Sequence, residues 1–446
     1  MSSSDGSDDE GPPLKRQKGS GPTTFLSWNA NGLVSRCVHN NRELAKMVHE
    51  TDPDVMCIQE VRIKALNSGD QGTPHTTDYK LVEDTMESTI FHKYQKHWSL
   101  ADRKYSGTLT FVHKRVQHNS NDVAFTTQSA LSMLLKKYNL TREDIGLSAS
   151  PVKKQKEPAK KQTSMKSFFA PKGKTNNAAG SSSVKFASHQ LDGRFQFLSF
   201  PNFDLINTYQ PNNGTKQESF QRRRDWDRDM KELLKYRLKI LKKVASSTAD
   251  KSAGERPLIW CGDMNVAKEY RDGTHWEQRE PGKGNDSEGK GIYEWWRDEK
   301  KCLSNGLGKK VDPSRHPDDK GIPSFTTNER KRFIDILETA DLDDVWRTLH
   351  PNGIEADSEE PKKRTFKTEW DKPNWTWRGH LSNNGNTFSS KYEGKGQRLD
   401  YFLLSPSTLT SQVVLECDIL GYGVDRQGHF CGSDHSSIIL RLKRPL

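Results

Sequence analysis

Eight short segments of this chain read as β-strands, and several are apolar throughout: TTFLSWN (23–29), DVMCIQE (54–60), GTLTFVHK (107–114), FQFLSF (195–200), FDLINTYQP (203–211), PLIWCGD (257–263), RLDYFLLS (398–405) and SSIILRL (436–442). Strands without a polar face need cover on both sides, so they belong to sheets packed between other layers. Helical periodicity falls between them, in RELAKMVHE (42–50), in the charged run SFQRRRDWDRDMKELLKYRLKILKKV (219–244) and in ERKRFIDILETA (329–340). In the first of these Leu44, Met47 and Val48 share one stripe, and Asp52-Pro53 ends it. Strand and helix signals in alternation give an α/β fold class.

The segments and their connections amount to roughly 300 residues, acceptable for one large domain over 23–446. The remainder is softer. Hydrophobic residues make up 32% of the 446 and mean hydropathy is −0.92, too polar for a chain that packs throughout. Residues 1–22 predict a disordered tail, in which Lys15-Arg16-Gln17-Lys18 reads either as a short nuclear import signal or as a solvated basic patch. A partly disordered insertion is expected over 117–188, with one helix at SALSMLLKKYNL (129–140) and then a lysine-rich stretch from 151 holding the single acid Glu157. An irregular insertion rich in Gly, Lys, Asp and Trp spans 271–321, and a charged loop spans 355–373.

A formal charge of +11 and a pI near 9.1 suit a polyanionic partner without naming one. No apolar run approaches the roughly 18 residues that cross a bilayer, and no secretory signal opens the chain, so no membrane role is expected. The six cysteines (37, 57, 261, 302, 417, 431) have no CxxC or metal-finger spacing and read as reduced, mostly packing thiols of an intracellular protein.

Polar residues recur where the strands end. Asn29 and Asn31 follow FLSW; Gln59 and Glu60 follow VMCI; Tyr209 and Asn212 follow LINT. PLIWCG delivers Asp263 and Asn265, RLDYFLL carries Asp400, and Asp434 and His435 come just before the last strand. Each alone is an ordinary turn residue. Six such sites converging on one edge of packed sheets make a place for a hard cation and a phosphate.

The strings SWNANGL, PDVMCIQE, YSGTLTF, TYQPNNG, PLIWCGDMNVA, SFTTNERKRF, RLDYFLLS and GSDHSSIIL, in that order across 24–442, resemble the exonuclease III family of apurinic/apyrimidinic (AP) endonucleases. The resemblance implies a deoxyribonuclease-I-like four-layer sandwich, two packed mixed β-sheets flanked by helices, and a class II AP endonuclease of base excision DNA repair. Such an enzyme hydrolyses the phosphodiester 5′ to an abasic site, leaves a 3′-hydroxyl, and is expected to trim blocked 3′ ends as exonuclease or phosphodiesterase. Its partner is then double-stranded DNA, its cofactor Mg²⁺ with Mn²⁺ as substitute, and a monomer is expected. By the same resemblance Glu60, Asn31 and Asp434 hold the metal. Asp263 deprotonates the attacking water or, with Asn265, helps bind a second metal. Asn265, Asn212, Tyr209 and Asn29 donate to phosphoryl oxygens, and His435, oriented by Asp400, stabilises the pentacovalent phosphorus. These parts suit in-line phosphodiester cleavage. Another phosphoesterase of the same fold, and a DNA-binding scaffold with weak catalysis, are the competing readings; GDMNVA and RLDYFLLS favour the repair branch.

Tyr105 and Arg194 match positions that grip the DNA backbone. The abasic-sugar pocket falls on Trp377, Gln397 and Leu399, with Gln397 where close animal relatives carry a second aromatic. Outside the core, Gln162, Met165, Phe168 and Phe169 fit the pattern Q-x-x-aliphatic-x-x-aromatic-aromatic of sliding-clamp ligands, so PCNA (proliferating cell nuclear antigen) is an expected partner through residues 162–169.

Overall fold

The computed structural model describes residues 21–65, 76–102, 104–147, 192–214, 216–247, 255–269, 272–273, 324–353, 375–378, 396–410, 413–420 and 431–446. The tail signal at 15–18, the clamp pattern at 162–169 and the charged loop 355–373 lie outside the described residues, as does all of 271–321 except Asp272 and Gly273.

The strands are β1 (Thr24–Asn29), β2 (Val55–Gln59), β3 (Tyr94–Ser99), β4 (Thr108–His113), β5 (Val123–Ala124), β6 (Phe195–Ser199) and β7 (Asp204–Tyr209). They continue with β8 (Leu258–Asp263), β9 (Asp343–Asp344), β10 (Trp377–Arg378), β11 (Gly396–Gln397), β12 (Asp400–Leu404), β13 (Val414–Ile419) and β14 (Ile438–Leu442). One six-stranded sheet runs β13-β14-β1-β2-β4-β3 and the other β5-β6-β7-β8-β12-β9, with β10 and β11 forming a small ribbon. Both sheets are mixed: β1 pairs with β2, and β7 with β8, in parallel, while the neighbouring pairs are antiparallel. All eight strands read from the sequence are present.

Side-chain alternation assigns the layers. On β1 Phe25 enters one apolar cluster and Leu26 and Trp28 another; on β2 Val55 and Cys57 part from Met56 and Ile58 in the same way. On β8 Ile259 and Cys261 join the cluster of Phe25 and Val55, whereas Leu258 and Trp260 join a third. The shared cluster lies between the sheets. The cluster behind the first sheet takes Leu33 and Cys37 from α1 (Leu33–His39), Leu44, Met47 and Val48 from α2 (Asn41–Thr51), and Val82 and Met86 from α3 (Thr77–Glu87). Behind the second sheet lie α4 (Thr127–Lys137), α5 (Gln217–Ser247) and α6 (Thr327–Ala340), which contribute Leu131, Trp226 and Phe333. This is the expected helix–sheet–sheet–helix sandwich.

One expectation moves. Residues 117–147 are part of this body, because β5 pairs with β6 and Ala130, Leu131, Leu134 and Leu135 are buried in the core behind the second sheet. The described body therefore runs through residue 147.

Candidate active site

The layer between the sheets changes character along the strands. It is apolar at Phe25, Val55, Ile259 and Phe402. Midway it carries Ser27, Thr110, Gln196 and Asn207, with Gln59 one step further on, tied together across the two sheets. Gln59 Nε2 donates to Ser27 Oγ (3.1 Å) and Asn207 Oδ1 (2.8 Å); Asn207 Nδ2 donates to Thr110 Oγ1 (3.0 Å) and Gln196 Oε1 (3.1 Å). The same parity carries Asn29, Asp263, Asp400 and Tyr209 to this end of the sandwich. At β8 the delivery depends on Gly262, whose φ of +129° and missing side chain let β7 approach: a Cβ there would lie 2.0 Å from the Thr208 carbonyl oxygen.

Asp263, 1% exposed, is the centre. Its carboxylate accepts from Asn29 Nδ2 (2.9 Å), from the Asn265 backbone N–H (2.8 Å) and from Asn265 Nδ2 (3.2 Å). His435 Nε2 stands 3.9 Å away, and His435 Nδ1 meets Asp400 Oδ2 at 2.8 Å. The turn before β14 fixes that ring, with Trp28 Nε1 donating to the His435 carbonyl and Ser433 Oγ accepting the His435 N–H. The Asp263 carboxyl is raised to about 7, chiefly by burial; His435 works against that rise and Asp400 adds to it. Burial also works against a charged imidazole, yet Asp400, Asp263 and Asp434 together push His435 up to about 10. The arrangement is a proton acceptor poised near neutrality beside a held cation.

A cleft of about 900 Å³ opens in front of these groups. Glu60, Asn31, Asp434, Tyr209, Asn212, Asn265 and Trp377 line it, with Arg36, Arg62 and Lys104 as its cations. Asn31 Nδ2 donates to Asp434 Oδ1 (2.7 Å) and Trp377 Nε1 to Asp434 Oδ2 (3.2 Å); Arg62 Nε donates to Glu60 Oε1 (2.8 Å). Asn31, Glu60, Arg62 and Asn265 all take the left-handed backbone conformation, at φ of 46°, 55°, 54° and 48°. Such strain in non-glycine residues gathers at functional sites. Glu60, Asn31 and Asp434 bring hard oxygen donors, of the kind that suit a divalent cation, to the cleft wall. Among the described residues Asp263, Asp400 and His435 form a second candidate group, each offering one ligand atom within 4.8 Å of the others, and Asp400 Oδ1 is buried without a hydrogen-bond partner.

Several expected placements change. Asn29 is 0% exposed; its Nδ2 donates to Asp263 Oδ2 (2.9 Å) and its Oδ1 accepts the Asn31 N–H (2.9 Å). Asn212 is exposed and donates to Asn265 Oδ1 (3.1 Å), bracing the residue that braces Asp263. Arg194 is buried, at 6% exposure. Tyr105, half-buried, donates to Asp192 Oδ1 at 2.5 Å. Of the three pocket residues only Trp377 is among those lining the cleft; Gln397 is buried and paired with Trp377 across β10 and β11, and Leu399 is buried with Ala267 and Phe325 against Trp377. Arg398 pairs with Asp272 and Asp344, which leaves Asp400 to His435. Sequence reasoning missed Thr376, whose Oγ1 accepts the N–H groups of Leu399 (2.8 Å) and Asp400 (3.0 Å), and Arg62, whose only signal is its place two residues after Glu60.

The sequence pattern of the endonuclease/exonuclease/phosphatase family matches residues 26–140 and 235–435. A DNA-(apurinic or apyrimidinic site) endonuclease of Arabidopsis thaliana is 30% identical over 98% of this chain and 90% of its own length. One of Plasmodium berghei is 26% identical over 94% of this chain, which spans 63% of that protein. The crystal structure of the AP endonuclease LMAP from Leishmania major, 18% identical, superposes over 95% of this chain and 88% of its own with a TM-score of 0.50, so the fold is shared. With that fold, and with the Arabidopsis relative matched nearly end to end, the chain belongs to the endonuclease/exonuclease/phosphatase family, in its exonuclease III-type AP endonuclease branch.

Proposed function

We propose that this protein is an AP endonuclease that hydrolyses the phosphodiester 5′ to an abasic site. The observation that carries the reading is the buried Asp263, braced by Asn29 and Asn265 and facing a His435 held by Asp400, at the floor of a cleft lined by Glu60, Asn31 and Asp434. Asp263 takes the proton of the attacking water as oxygen adds to phosphorus. The bond from phosphorus to the 3′ oxygen breaks in line and that oxygen takes a proton from solvent, leaving a 3′-hydroxyl on one side and a 5′-phosphate on the abasic side. His435, charged by its carboxylate neighbours, stabilises the negative charge gathering on the phosphoryl oxygens, and Tyr209 offers a donor from the cleft wall. Glu60, Asn31 and Asp434 would hold Mg²⁺, or Mn²⁺ in its place, which draws charge from the non-bridging oxygens. The same site would trim blocked 3′ ends as a 3′-5′ exonuclease and 3′-phosphodiesterase, since only the group beyond the scissile bond differs. We place the protein in the nucleus as a monomer, recruited to PCNA through Gln162, Met165, Phe168 and Phe169; this rests on sequence alone.

Asp263→Asn and His435→Ala test the assignment. Each should lower the single-turnover rate about 10²-fold or more while leaving DNA affinity within about threefold. A rate within about threefold of wild type in either variant refutes the catalytic roles of Asp263 and His435.

A further inference from the structure

We propose that Arg194 is a positioning residue for Tyr209: its guanidinium, stacked between Tyr105 and Tyr209, fixes the catalytic phenol from behind instead of contacting DNA. The inference rests on the AP-endonuclease reading for what Tyr209 does, but on geometry for how it is held.

The guanidinium carbon lies 4.5 Å from the centroid of the Tyr209 ring and 5.5 Å from that of Tyr105. Arg194 Nη1 donates to the Tyr209 carbonyl (3.2 Å), and the Tyr209 N–H donates to the Arg194 carbonyl (2.9 Å), extending the β6–β7 ladder by one rung. Asp192 Oδ2 balances the charge at 3.7 Å from Arg194 Nε, and Tyr105 Oη and Ser106 Oγ donate to Asp192. Gly193 seats the segment: at φ +65°, a Cβ there would meet the backbone of Leu100 at 2.5 Å. Two aromatic rings, a carboxylate and a tight glycine thus enclose one buried cation.

A buried guanidinium over a ring face is a strong and directional contact, and a lysine cannot copy it because its charge is a point on a flexible stem. The stack holds one face of Tyr209, while Glu60, Arg62 and Asp263 share the cleft that the tyrosine lines. A phenol donating to a phosphoryl oxygen must already sit where charge develops, and a cation on its ring strengthens it as a donor. Arg194 supplies both effects without reaching the substrate.

The test is a double-mutant cycle of Arg194→Met and Tyr209→Phe on an abasic duplex, with Arg194→Lys as a charge-keeping control. Arg194→Met should lower kcat about tenfold with KM and salt dependence unchanged, and add nothing further in the Tyr209→Phe background. Arg194→Lys should recover less than half of the loss. In protein labelled with 3-fluorotyrosine, the ¹⁹F resonance assigned to Tyr209 should shift or broaden in Arg194→Met. A raised KM with a shallower salt slope and kcat intact would make Arg194 a phosphate contact and overturn the proposal, as would equal losses in both backgrounds. Should Arg194→Met melt early, Arg194→Lys carries the cycle. Should wild type not incise abasic DNA, the functional reading fails by itself, and an unmoved Tyr209 resonance would still be needed to sink the positioning role.

Discussion

Asp263 and His435 oppose one another through their surroundings: burial keeps the acid protonated up to about pH 7, while three carboxylates keep the imidazole charged up to about pH 10. The base must be deprotonated and the cation protonated, so activity belongs between these values. The single-turnover rate at saturating Mg²⁺ should climb from about pH 6 to about pH 8 and fall again toward about pH 10. Asp400→Asn removes the carboxylate that most raises His435, so the falling limb should move to lower pH while the rising limb stays or drops slightly. A rate flat across the neutral range, or an unmoved falling limb in Asp400→Asn, contradicts the assignment. The same residue scale explains Asn29. A short side chain at the end of a buried strand, it reaches Asp263 across the sheets with Nδ2 and the Asn31 N–H with Oδ1.

At the scale of elements, the site depends on two sheets holding fixed register across a polar layer. Asn207 on β7 accepts from Gln59 on β2 and donates to Thr110 on β4 and Gln196 on β6. Gln59 precedes Glu60, and Asn207 stands two residues before Tyr209, so this contact aligns the two arms of the cleft. Asn207→Leu should destabilise the fold by about 1–3 kcal/mol for each amide left unpaired, read as a lower urea midpoint at unchanged slope. Stability equal to wild type would mean that water or repacking satisfies these groups. The strands that carry the catalytic residues were legible because both-face burial leaves long apolar runs ending in polar residues. The edge strand β3 was not, because YQKHWS carries the polar, only partly buried Gln95 and Lys96 and lacks such a run. Convergence at one sheet edge could be inferred from strand ends, but which side chains face the cleft could not, since that depends on neighbours from other strands. Arg194 shows this: its sequence position suggests DNA, and its partners Tyr105, Asp192 and Tyr209 come from three separate segments.

The whole molecule joins this catalytic body to a basic chain, of which 151–188 carries the clamp pattern. A peptide of residues 158–174 should bind PCNA in calorimetric titration, and the same peptide with Phe168→Ala and Phe169→Ala should not, because each aromatic anchor contributes about 2 kcal/mol or more. No heat at about 100 μM clamp would rule out recruitment by this segment and leave it a basic linker. Incision beside an abasic site is the chemistry at stake, and a single duplex reaches it. It carries one abasic analogue, is labelled at the 5′ end of the damaged strand, and is incubated with the protein and Mg²⁺, with parallel reactions containing EDTA or Asp263→Asn. One new band should form, cut immediately 5′ to the analogue and extendable by a polymerase because it ends in a 3′-hydroxyl, and it should be absent in both controls. An intact duplex, a cut on the 3′ side, or a cut that persists in Asp263→Asn would contradict the proposed function.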